Sequence, residues 1–211
     1  MDTVWDIALV IAAYALGAVP WGVVLGRIFA HTDIRQYGSK SIGATNALRV
    51  LGRKFSIAVL ILDLLKGVLP VVIGRMAGLP DWSIGLAALV AVVGHCWSPY
   101  IGFTGGKGMA TGGGAGVALF PWLLLLVPVI VVVVLVTRYV SLGSIVTVAL
   151  ASIAAVVTAA TGHLPWSWAI AIVLMSAIIV QRHHANIARL RAGTENKFGS
   201  RVRPEATRPI S

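Results

Sequence analysis

Charge is scarce in this chain of 211 residues, and negative charge is scarcer still. Only 11% of residues are charged, with 7 Asp+Glu against 17 Lys+Arg and a formal net charge of +10. An ordinary soluble domain carries about 25% charged residues. That shortage, with 58% hydrophobic residues, excludes a typical water-soluble globule and an intrinsically disordered chain. Cysteine is nearly absent, and the single Cys96 excludes a disulfide framework and any multi-cysteine zinc or iron–sulfur site. The first residues hold Asp2 and Asp6 but no Lys or Arg, so the positive n-region of a cleaved signal peptide is missing. What remains is an integral membrane protein with a positive bias. By itself that bias fits nucleic acid, anionic lipid or an anionic substrate.

What is present is a series of long apolar runs. A membrane-spanning helix needs roughly 20 mostly apolar residues. Ile7–Gly26 and Trp82–Gly106 carry no charge, and Phe55–Gly74 carries only Asp63 and Lys66. Gly108–Thr137 is uncharged over 30 residues and Tyr139–Gln181 over 43. The last divides at the turn Thr161-Gly162-His163-Leu164-Pro165 into spans near 140–160 and 166–182. Gly108–Thr137 divides at Phe120-Pro121, because a single helix would be about 45 Å long against a core of about 30 Å. Two short helices, near 106–119 and 121–137, are expected; a single long tilted helix is the alternative. Charge supports the division. Fifteen of the 17 basic residues fall in 26–54, at Lys107 and Arg138, and in the segment from Arg182 onward. The positive-inside rule puts all of these in the cytoplasm only if Lys107 and Arg138 are joined by an even number of crossings. The expected fold is all-α: a polytopic bundle of seven transmembrane helices, N-terminus outside and C-terminus cytoplasmic. Residues 1–197 form one membrane-embedded domain, and 198–211 a basic, disordered tail.

Polar chemistry can rest on only four islands. The first is the loop Asp33–Arg49, where Gly38 and Gly43 permit tight turns, Ser39, Ser41, Thr45 and Asn46 supply short donors, and Arg35, Lys40 and Arg49 supply charge. Small residues with cations suit a phosphate, whose oxygens must meet backbone N–H groups; an ordinary positive-inside loop is the alternative. The second runs from Gly94-His95 to Gly105-Gly106-Lys107-Gly108 and Thr111, a glycine turn opening a helix. It is no nucleotide P-loop, since Gly108 stands where Ser or Thr is required. Small-residue helix packing is the alternative there. The third is Asp63 and Lys66, i and i+3 within a span, expected to pair and face the bundle interior. The fourth is Arg182-His183-His184 with Asn186 and Arg189. His183 and Asn186 share a helix face, and a histidine serves as base or phosphate donor; a basic interfacial cap is the alternative. His183 and His184 are poorly placed for a metal, because adjacent helical residues do not converge.

In order, these islands resemble the bacterial integral-membrane acyl-phosphate:glycerol-3-phosphate acyltransferase family. The matching pieces are Gly38-Ser39 with Gly43 to Arg49, Asp63 to Gly67, Gly94-His95 with Gly105 to Thr111, Val140 to Ser144, and Arg182 to Ile187. The resemblance covers about residues 15 to 197. It implies acyl transfer from a fatty acyl phosphate to the 1-hydroxyl of sn-glycerol 3-phosphate, forming lysophosphatidate for phospholipid synthesis in the bacterial cell membrane, from an active site facing the cytoplasm. No cofactor, metal or obligate protein partner is implied. It places Ser39, Arg49, Lys107, His183 and Asn186 at catalytic positions. Gly43, Thr45, Asn46, Gly105, Gly106, Gly108, Thr111 and Ser141 fall at substrate- or phosphate-binding positions. Two departures stand out: Lys40-Ser41 replaces the more usual Gly-Asn, and Thr104 replaces a more usual Lys or Arg. A low-activity paralogue is therefore a second reading.

Two phosphate substrates require a site that holds two anions close together, which suits Arg49, Lys107 and the glycine turns. An acyl phosphate carries its own leaving group, so positioning and charge compensation are the main tasks. The leaving phosphate can take the hydroxyl proton, and His183 is read as an anion donor in preference to a general base. The rival class is a transporter of a small phosphate ester. It is disfavoured because the islands lie at helix ends and no inverted repeat is visible. Nucleic-acid binding is disfavoured further, because no aromatic-interleaved basic surface is present and the charge follows membrane topology.

Overall fold

A computed structural model of the protein describes residues 3–199. Most of the expected tail, from 200 to 211, lies outside the described residues. Ten helices follow in order: α1 Thr3–Ala18, α2 Trp21–Ala30, α3 Ala44–Val50, α4 Arg53–Met76, α5 Asp81–Cys96, α6 Met109–Leu119, α7 Val127–Thr137, α8 Val140–Ala160, α9 Trp166–Arg182 and α10 His184–Arg191. Among the described residues an isolated bridge, Ser98 to Thr104, is the nearest approach to β structure.

Lipid, not water, explains which faces turn outward. On α4 the side chains of Ile57, Ile61, Leu65, Leu69 and Ile73 are exposed, while the opposite face buries Val59, Asp63, Lys66, Gly67, Pro70 and Gly74. A soluble helix would do the reverse. By length and apolarity α4 and α8 can each cross a membrane alone, and the bent pairs α1–α2 and α9–α10 qualify when each is taken as one span. Helix α5 and the stretch Pro121–Thr137 are apolar but shorter.

Several boundaries correct the sequence expectation. The break at Phe120-Pro121 is present, followed by a 3-10 turn over Pro121–Leu126 before α7. Ile7–Gly26, read as one run, is instead bent by 44° between α1 and α2. Pro20 sits in that bend, with no N–H to continue the ladder. A second bend, of 56°, separates α9 from α10 at His183. Helix α6 has 11 residues, a rise of about 16 Å, roughly half the hydrocarbon thickness.

Backbone-to-backbone approach holds the bundle together. A Cβ on Gly67 would collide with the Thr111 carbonyl of α6, and one on Gly114 with the Leu64 carbonyl of α4. Gly17 of α1 meets Ala91 of α5 in the same way. Close packing of this kind replaces the hydrophobic drive that lipid removes. Asp63 and Lys66 form the expected internal pair, Nζ to Oδ1 at 2.9 Å with both side chains almost wholly buried. Lys66 Nζ also donates to the Val19 carbonyl at 2.9 Å, which accepts from the Trp21 N–H as well within the bend at Pro20. At the far end of the bundle Arg75 donates to the Leu119 carbonyl at 3.0 Å and lies over the Trp168 ring.

Candidate active site

The glycine loop ahead of α3 is built around one asparagine. Asn46, buried, accepts the Ser39 N–H at 2.9 Å and donates to the carbonyls of Ile34, Tyr37 and Ser41. Its side-chain capacity is therefore committed to the loop, which it shapes for its neighbours. Gly38 has φ 61°, and a Cβ there would meet Asn46 Oδ1. Asp33 clamps the loop's entry by accepting from Arg35 Nε at 3.0 Å and from Arg27 at 2.9 Å. The Arg35 guanidinium holds the Asp33 carboxyl well below the usual carboxylate range. Lys40, one of the two family departures, has φ 56°. That left-handed region costs a residue with a Cβ about 1–2 kcal/mol, a cost that glycine escapes. Lys40→Gly is expected to stabilise the protein by about 1 kcal/mol, read as a higher melting temperature in detergent, without loss of activity.

The second loop is held on two sides. Gly106 N–H donates to the His95 carbonyl at 3.1 Å. A Cβ on Gly106 would run into the His95 ring, and one on Gly105 into the carbonyls of His95 and Cys96. On the other side Arg182 donates from Nε to the Gly106 carbonyl at 3.0 Å and from Nη2 to the Gly105 carbonyl at 3.1 Å. Gly108 follows at φ 78° as the N-cap of α6. Among the described residues, the backbone N–H groups of Lys107 and Gly108 have no intramolecular acceptor.

These loops meet the starts of α6 and α8 and the end of α9 around a cavity of about 460 Å³. Its polar wall includes Ser39, Gly43, Thr45, Asn46, Arg49, Lys107, Gly108, Ser141, His183 and Asn186. Leu60, Leu64, Met109, Val127 and Ile130 form an apolar part of the same wall, and Asp63 and His95 line it too. All five residues expected at catalytic positions thus line one cavity. Of the expected binding residues, Gly105, Gly106 and Thr111 do not line it. The two glycines form the back of the turn, and Thr111 is buried against α4.

Arg49 and Lys107 make no hydrogen bond or ion pair among the described residues. Burial is the main influence on Lys107, outweighing the opposing pull of Glu195, and with Arg189, Arg49 and Arg182 adding to it the ammonium is pushed down to about 8. His183 is pushed down to about 4, chiefly by burial, so its ring is neutral near pH 7. Its Nδ1 lies 2.7 Å from the Ile179 carbonyl. A neutral ring must donate there, and Nε2 is left as an acceptor.

Glu195 was not anticipated. Its carboxylate accepts from Ser141 Oγ at 3.1 Å, Asn186 Nδ2 at 2.7 Å and Arg189 Nε at 2.8 Å. It brings the chain after α10 back to the cavity wall, and Phe198 N–H then reaches the Arg138 carbonyl at 2.6 Å. The signal was an isolated acid in a strongly basic stretch: between Asp81 and Glu195 the sequence has no acidic residue, and the next after it is Glu205.

A lipid-exposed helical bundle that gathers unpaired cations and free backbone donors beside an apolar wall defines an integral membrane protein built to handle an amphiphilic anion. Comparison with known proteins gives the family. The chain belongs to the glycerol-3-phosphate acyltransferase family, whose model matches residues 7–193. It is 44% identical over 198 residues to glycerol-3-phosphate acyltransferase 2 of Moorella thermoacetica, covering 93% of this chain and 99% of that protein. It is 40% identical over 190 residues to the glycerol-3-phosphate acyltransferase of Fusobacterium nucleatum, covering 90% and 96%. Among solved structures it is similar to PlsY (YgiH), an integral membrane glycerol 3-phosphate acyltransferase, in its glycerol 3-phosphate form. There the TM-score is 0.85 at 36% identity, over 92% of this chain and 96% of that one.

Proposed function

We propose that the cavity transfers a fatty acyl group from acyl phosphate to the 1-hydroxyl of sn-glycerol 3-phosphate, releasing inorganic phosphate and lysophosphatidate. The observation that carries this reading is the pair of unpaired cations, Arg49 and Lys107, lining one cavity that also has an apolar wall. Two anionic heads are held by the cations and glycine turns, and the acyl chain lies along Leu60, Leu64, Val127 and Ile130. The hydroxyl oxygen attacks the acyl carbon. The bond from that carbon to the phosphate oxygen breaks, and the hydroxyl proton passes by way of His183 Nε2 to the departing phosphate. Lys107 and the free N–H groups of Lys107 and Gly108 compensate the charge developing on the carbonyl oxygen and the phosphate. A neutral His183 with Nδ1 committed to Ile179 supports an acceptor role: Nε2 receives the hydroxyl's hydrogen bond and aims its oxygen. This replaces the anion-donor role expected from sequence. Ser39 and Asn186 orient the heads.

The seven-pass arrangement, with the cavity at the cytoplasmic face of a bacterial cell membrane, belongs to the same proposal. Its support is the distribution of charge along the helices. The ends of α2, α7 and α9 and the starts of α4, α6 and α8 carry the basic residues. The opposite ends carry Arg75 alone. A cavity at helix ends also argues against a transporter, whose site belongs near the midplane.

Donor choice tests the reading. Purified protein in detergent is expected to form lysophosphatidate from glycerol 3-phosphate with a long-chain acyl phosphate, and not with an acyl thioester. Activity with the thioester alone removes the donor assignment. Uptake of glycerol 3-phosphate into vesicles without ester formation replaces the enzyme by a carrier.

A further inference from the structure

Arg182 touches the glycine turn but does not line the cavity, and neither do Gly105 and Gly106. The residues that follow them, Lys107 and Gly108, do. A peptide unit has two faces, so where its carbonyl points decides where its N–H points. In this turn two successive carbonyls are drawn to one guanidinium; the N–H groups of the same peptide units are that of Gly106, which donates to the His95 carbonyl, and that of Lys107, which has no acceptor within the described chain. The guanidinium itself is fixed, with its carbon 5.4 Å from the centre of the Trp97 ring. Trp97 is in turn tied to α1, its carbonyl accepting from Tyr14 Oη at 3.0 Å.

We propose that Arg182 is a positioning residue for the phosphate-binding turn: it pins the Gly105 and Gly106 carbonyls behind the turn and so turns the Lys107 N–H, and the Lys107–Gly108 segment that follows it, toward the substrate phosphate. The role requires arginine. A planar fork reaches two neighbouring carbonyls at once, whereas an ammonium is a point charge on a flexible stem. Arg182 also ends α9 directly before His183. One residue therefore joins the anion-binding turn to the helix that places the histidine. The proposal rests on the acyltransferase reading, and its test keeps the two apart.

Arg182→Met, Arg182→Lys, Arg182→Ala and wild type are compared in detergent by steady-state kinetics, with KM measured separately for acyl phosphate and glycerol 3-phosphate. Charged hydrogen bonds to both carbonyls are lost, so KM for at least one phosphate substrate is expected to rise about tenfold or more in Arg182→Met, with kcat changed less. Arg182→Lys is expected to recover only part of the loss. Added ethylguanidinium is expected to lower the KM of Arg182→Ala toward wild type, a rescue that a merely structural role would not show. Binding of inorganic phosphate, read by quenching of tryptophan fluorescence or by calorimetry, is expected to weaken in parallel. KM values and phosphate binding within twofold of wild type in Arg182→Met overturn the proposal. So does an equal defect in Arg182→Lys without guanidinium rescue. If wild type forms no lysophosphatidate, the acyltransferase reading falls, and the phosphate-binding comparison still decides the role of Arg182.

Discussion

Lys107→Met is expected to lower kcat/KM for acyl transfer by about a hundredfold to a thousandfold, the range for removing a preorganised charge donor from a water-poor site. The melting temperature in detergent is expected to stay level or rise. Lys107 has no ion-pair or hydrogen-bond partner within the described chain, so its removal breaks nothing and relieves the burial of a cation. The pH profile supplies a second readout. Burial pushes the ammonium down to about 8. Below that pH it is charged and holds phosphate; above it the charge is lost. In the free enzyme kcat/KM should therefore fall as pH rises through about 8, and Lys107→Arg should abolish that limb, because a guanidinium stays protonated. An alkaline limb unchanged in Lys107→Arg would assign the titration to another group.

The second large effect concerns stability. Lys66→Met removes one member of a pair buried inside the bundle, leaving the Asp63 carboxylate without its cation and the Val19 carbonyl with one donor fewer. Breaking such a pair costs about 3–5 kcal/mol, so the variant should melt far below wild type or fail to accumulate. The double replacement Asp63→Leu with Lys66→Met removes both charges together. It should recover at least half of the lost stability, because apolar substitutes of similar volume are often tolerated where one stranded charge is not. Melting curves in detergent for the two single variants and the double give the coupling directly. A Lys66→Met variant as stable as wild type would show that the pair contributes nothing to the bundle.

The main features of the fold were legible because lipid leaves few residues able to carry charge. The uncharged runs mark the helices, and the proline at 121 marks the break after α6. The bends at Pro20 and at His183 were not legible, because each falls inside a stretch whose composition reads as one helix or one exit from the membrane. At the site, residue types at short spacing located both loops and the pair His183 and Asn186. They could not separate residues that face the cavity from those that shape it. Asn46 resembles a phosphate donor by type, yet its amide is committed to four loop groups. Thr111 follows the glycine turn by one helical turn, yet it packs on α4 where Gly67 leaves room. Glu195 and Arg182 act across long sequence separations. Arg182 meets a turn 76 residues earlier, and no local pattern encodes such a contact.

The central claim is that this cavity joins an acyl group to glycerol 3-phosphate with loss of phosphate, and one reaction tests it. Purified wild-type protein is incubated with a long-chain acyl phosphate and glycerol 3-phosphate labelled with 18O at the 1-hydroxyl, and the products are followed by mass spectrometry and phosphate assay. The account predicts lysophosphatidate that retains the label in its ester and inorganic phosphate released in equal amount. Hydrolysis of the acyl phosphate without ester formation, or an ester that lacks the label, would contradict it.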